Sequence, residues 1–70
     1  MNARDEQQLL RDAQAKAQKL MDRLIAQRDD LDRSGLALAP EKLARGKAAF
    51  AEAIRSTQNT LQEIEHALQD

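Results

Sequence analysis

No cysteine, tryptophan, tyrosine or valine occurs in the sequence, and phenylalanine, proline and histidine occur once each. Without cysteine there is neither a disulfide framework nor a thiolate metal site, so nothing covalent staples a chain of only 70 residues. The lone His66 has no second nitrogen ligand near it. The scarcity of β-branched and aromatic residues removes what strands prefer. Ten Leu, three Ile and thirteen Ala stand in their place, a helix-forming composition. A surplus of one charge is missing too: eleven basic and twelve acidic residues give a net charge of −1. A nucleic-acid binder normally carries a basic stripe with stacking aromatics. Here the single aromatic, Phe50, sits in an alanine run that reads as core. Long apolar runs are also absent. The opening "MNARDEQQLL" offers no signal-peptide core, and no stretch approaches the ~20 apolar residues of a membrane span, so the expectation is a cytoplasmic protein that does not enter the membrane.

What is present is a heptad pattern. Leu43, Lys47, Phe50, Ile54, Thr57, Leu61, Ile64 and Leu68 alternate steps of four and three, a continuous a/d seam with two polar members. Glu6, Leu10, Ala13, Ala17, Leu20, Leu24, Gln27 and Leu31 form a second seam of equal length. Folding the chain back about Ala37 pairs the two without a gap: Leu31 with Leu43, Gln27 with Lys47, Leu24 with Phe50, Leu20 with Ile54, Ala17 with Thr57, Ala13 with Leu61 and Leu10 with Ile64. The outermost layer, Glu6 with Leu68, is expected to fray into water. The pattern predicts an all-α, coiled-coil-like antiparallel two-helix hairpin over residues 1–70, with helices at about 3–33 and 40–69 and a loop at 34–39. Its expected core is Leu10, Leu20, Leu24, Leu31, Leu43, Phe50, Ile54, Leu61, Ile64 and Leu68. So small an unstapled domain buries little surface, and pairing of two hairpins into a four-helix bundle is the expected remedy.

The connection "RSGLALAPEKL" is unusually apolar. Two capping rules account for its leucines. With Gly35 as a left-handed residue ending helix 1, Leu36 would contact Leu31 as in a Schellman motif. With Pro40 as the first residue of helix 2 and Ala39 as its N-cap, Leu38 would staple onto Leu43. At the other end of helix 1, Asn2 with Asp5 resembles a weak capping box. Asp12 with Lys16, Asp29 with Arg33 and Glu41 with Arg45 have the i, i+4 spacing of surface ion pairs.

Chemistry finds no purchase in this sequence. Glu63 and His66 have the i, i+3 spacing used in carboxylate-bridged metal bundles, but the partnering inward glutamates are missing, so they read as a solvated face. No catalytic residue, cofactor site or metal site is expected, and the protein is read as non-enzymatic. Instead there is spare apolar surface. Leu9, Met21 and Ile25 lie off the helix 1 seam and Ala44, Ala48 and Ala51 off the helix 2 seam, a candidate face for a second copy or another protein. The expected function is therefore a protein-protein interaction module: a small regulator, adaptor or chaperone-like hairpin.

In length and architecture alone the chain resembles two kinds of small hairpin: the Rop copy-number regulators, which are RNA-binding homodimeric bundles, and the co-chaperones of type III secretion needle subunits, which bind a second chaperone. No motif in "MNARDEQQLLRDAQAKAQKL" or elsewhere carries the resemblance, so no functional residue transfers. The first kind implies nucleic-acid binding as the alternative function, which the mixed charge disfavours. The second requires only an apolar hairpin face.

Overall fold

A computed structural model describes residues 3–69, the side chain of Leu36 excepted. Helix α1 spans Ala3–Ser34, a single 3-10 turn covers Gly35–Ala37, and helix α2 spans Pro40–Gln69. The helices pack along each other as a hairpin 53 Å long and about one helix pair across, 15 by 14 Å. No described helix is long and apolar enough to cross a membrane.

The turn departs from the Schellman expectation. Gly35 does not take positive φ. It continues the right-handed path into the 3-10 turn, which closes with the Leu38 N–H donating to the Gly35 carbonyl at 3.0 Å. Leu38 then straightens the chain at φ −101 and ψ 152, and the Leu43 N–H donates to the Ala39 carbonyl at 3.0 Å, opening α2 with Ala39 as N-cap and Pro40 as first helical residue. Leu38 is 41% exposed, so it is not folded away as a full staple. The expected Asn2 cap and the Leu36 contact with Leu31 lie outside the described residues.

Because Gly35 extends the helical path, the chain reverses about Ala39 rather than Ala37, and the register shifts with it. Three contacts fix the new alignment. A β-carbon built on Gly35 would lie 2.6 Å from Leu43 Cδ1, one on Gly46 would lie 2.9 Å from Leu31 Cδ2, and Lys47 Nζ lies 3.3 Å from Asp32 Oδ1. The layers are therefore Leu10 level with Leu68, Gln14 with Ile64, Ala17 with Leu61, Met21 with Thr57, Leu24 with Ile54, and Arg28 with Phe50. At the loop end the two glycines let the leucines of the opposite helix settle against backbone.

Burial follows this register. In α1 the shielded line is Leu10, Gln14, Ala17, Met21, Leu24, Arg28 and Leu31, with Gly35 buried at its end. Met21 is the one buried apolar residue described, at 5% exposure, and Thr57, level with it, is the one buried polar residue, at 7%. Leu20, expected in the core, is 46% exposed. Nine of the ten expected core residues, all but Leu20, are half-buried. Lys47 is exposed, and Gly46 takes its place facing α1. The Thr57 hydroxyl donates to the Ala53 carbonyl at 2.8 Å, so its burial leaves no orphaned polar atom.

Surface pairs support the helices locally but are not those anticipated. Gln8 Nε2 donates to Asp12 at 2.9 Å, Gln18 Nε2 to Asp22 at 3.1 Å, and Arg55 pairs with Glu52 at 2.7 Å. Arg33 reaches Asp30 rather than Asp29. Each such exposed pair contributes at most a few tenths of a kcal/mol.

Candidate protein-binding face

Among the described residues the hairpin has no pocket, and no three His, Cys, Asp or Glu side chains come together as a metal site would require. Glu63 and His66 are both exposed. What the fold leaves in water is apolar: Leu9 at 59% exposure, Leu20 at 46% and Leu38 at 41%. Fully burying an exposed leucine is worth roughly 1.5–3 kcal/mol, and at 41–59% exposure about half of that remains open at each of these three.

The expected face of Leu9, Met21, Ile25, Ala44, Ala48 and Ala51 does not exist as one surface. Met21 belongs to the hairpin core, level with Thr57. Leu9 and Ile25 stand roughly 160° apart around α1 at 3.6 residues per turn. The physical reason is the register: once Met21 turns inward, Leu20 and Leu9 fall on one flank of the seam and Ile25 on the other.

The interhelical contacts identify these flanks. On the side where Leu31 meets Gly46, α1 presents Leu20 and, three turns away and only ~20° round, Leu9, with Ala13 between them. On the same side α2 presents Ala53, Thr60 and Ala67, seven residues apart. The Thr60 hydroxyl donates to the Ser56 carbonyl at 3.1 Å, which satisfies its proton within the helix. On the other side, where Asp32 meets Lys47, half-buried Ile25 is the main apolar residue, flanked by exposed Ala44 and Ala51, while Ala48 points away from α1 altogether. The Gly46 flank is therefore the candidate site. Leu20 and Ala13 escaped the sequence reading as surface residues because both lie on the alternative seam. Their signal was Leu9, which repeats at Leu20 after eleven residues, a spacing that returns nearly to the same face.

Comparison with known proteins gives no family model, no curated sequence and no solved structure that matches this chain.

Proposed function

We propose that the protein is a non-catalytic protein-interaction module, a small regulator, adaptor or chaperone-like hairpin that binds through the Gly46 flank. The observation that carries this reading is the pairing of Leu9 and Leu20, both exposed and both on one flank of the helix face that packs on α2. Two large apolar side chains aligned on one flank of a helix can anchor a partner helix. Helix-in-groove or helix-on-helix packing is the mode such a face suits, with anchors three turns apart. The balanced charge of eleven basic and twelve acidic residues gives no footprint for counterion-driven nucleic-acid binding.

The test is quantitative affinity capture from the native host with two baits, the natural chain and Leu9→Gln with Leu20→Gln. Both should show the same helicity by circular dichroism. Proteins, including the untagged chain itself, that are retained by the first bait and lost from the second support the reading. Identical sets would remove the Gly46 flank from consideration.

A further inference from the structure

We infer that the occupant of the Gly46 flank is a second copy of this chain, packed with both loops at the same end so that α1 of each hairpin lies against α2 of the other. The inference rests on the protein-binding reading above and names the partner.

The first argument is area. The hairpin exposes 5637 Å². A compact folded monomer of 7.9 kDa exposes ~4400 Å², which leaves an excess of roughly 1200 Å². A standard interface covers about 800 Å² per partner. One more copy on one flank would remove about two-thirds of the excess.

The second argument is charge, and it chooses the orientation. Beside the middle of the apolar strip, the outer edge of α1 carries Lys16 and Arg23 and that of α2 carries Glu63 and Glu52, the last already paired with Arg55; towards the helix ends the same edges carry Asp5 and Arg45. Lys16, Arg23 and Glu63 are exposed and have no ion pair within the described hairpin. Within one hairpin the Lys16 and Arg23 pair and the Glu52 and Glu63 pair point away from each other. A twofold axis parallel to the helices keeps every level opposite the same level of the copy. It sets Lys16, which is level with Gln62, beside Glu63 of the copy, and Arg23 within a turn of its Glu52. A twofold axis perpendicular to the helices, with the loops at opposite ends and centred near Leu20, would instead set Lys16 against Arg23 and Glu63 against Glu52. Like charges at such spacing oppose association.

The third argument is size. With α1 facing α2 of the copy, Leu20 meets the small residues Ser56 and Thr60, and Leu9 meets Ala67. Large side chains thus face small ones, as interdigitated bundle layers require.

The absence of cysteine allows a clean measurement. Ala37→Cys carries one spin label at the loop of each copy, read by pulsed dipolar spectroscopy alongside light scattering at micromolar concentration. The expected result is a dimer with label separation of about 20 Å, the width of two packed helix pairs. Leu20→Gln, on an exposed residue, should raise the dimer dissociation constant about 100-fold with helicity unchanged, since both copies lose the contact. Glu63→Lys should raise it about tenfold, and adding Lys16→Glu should restore it. Labels separated by something near the 53 Å length of the hairpin would overturn the arrangement. A monomeric mass would overturn the second copy as partner. If in that case the capture experiment still loses a different protein on Leu9→Gln with Leu20→Gln, the protein-binding reading survives without this inference; if it loses nothing, both fall.

Discussion

Lys47 Nζ stands 3.3 Å from Asp32 Oδ1, and this is the one ion pair among the described residues that joins α1 to α2. Both side chains are about half exposed, at 53% and 49%, so the pair reports the register more than it stabilises the fold. A double-mutant cycle with Asp32→Asn and Lys47→Gln should give a coupling of about 0.2–1 kcal/mol, falling toward zero at high salt. Pairing about Ala37 would instead place Lys47 level with Gln27 and give no coupling to Asp32. Urea unfolding of the four proteins decides between them.

Met21 and Leu20 are neighbours with opposite roles, the first 5% and the second 46% exposed. Met21→Ala should cost about 2 kcal/mol, the low end for removing a buried large side chain because neighbouring groups in a two-helix core can partly collapse on the gap. That loss should not depend on protein concentration. Leu20→Gln should leave the hairpin's helicity intact, and any change in its melt should shrink on dilution, as expected for a residue acting through association. Equal, concentration-independent losses from both variants would mean that Leu20, too, is part of the core.

How much of this was legible in the sequence depends on which helix is considered. In α2 nearly every seam residue was readable, because Leu43, Phe50, Ile54, Leu61, Ile64 and Leu68 leave one apolar line and little competition. In α1, Leu10, Ala17, Leu24 and Leu31 recur every seven residues and fit two seams equally. The second line is either Ala13, Leu20 and Gln27 or Gln14, Met21 and Arg28. Hydrophobicity favours the first set, since it prefers Ala to Gln and Gln to Arg. The fold uses the second because register is set at the loop, where Gly35 stays right-handed and the two glycines admit Leu43 and Leu31. Apolar patterning assigns glycine no packing role, so that determinant was invisible to it. The candidate face inherited the error: Met21 was assigned outward and Leu20 inward, and reversing them moved the apolar surface to the other flank.

Gly46 offers a direct test of that determinant. Replacing a helical glycine by alanine ordinarily gains about 1 kcal/mol. Here the new β-carbon would lie 2.9 Å from Leu31 Cδ2, close enough that the end of the leucine must move. Gly46→Ala should therefore be near neutral in the natural background. In a Leu31→Ala background, with the obstructing methyl gone, the same substitution should recover most of the ~1 kcal/mol. Gly46→Val, with two further carbons and lower helix propensity, should cost about 2 kcal/mol. A full gain from Gly46→Ala alone would show that Leu31 does not press on this position.

Thr57 is the polar residue at the level of Met21, and its hydroxyl is the feature of the core that contributes least. At 7% exposure it is nearly out of water, and its only partner is the Ala53 carbonyl at 2.8 Å, which lies one turn back in the same helix. That carbonyl also accepts the regular helical bond from the Thr57 N–H, so deleting the hydroxyl orphans nothing. Thr57→Val keeps the branched shape, has similar helix propensity, and exchanges a buried O–H for a methyl group. Removing a donor whose acceptor stays satisfied is neutral to favourable, and a gain of up to about 1 kcal/mol is expected. In a domain of this size that corresponds to a rise of roughly 4–8 °C in melting temperature. Thr57→Asn keeps a polar group but cannot repeat the back-bond in the same geometry, and it should lose stability instead. Thermal unfolding followed by circular dichroism separates the two. A lower melting temperature for Thr57→Val would mean that the hydroxyl makes a contact the hairpin alone does not contain, and would place Thr57 in an interface rather than in the core.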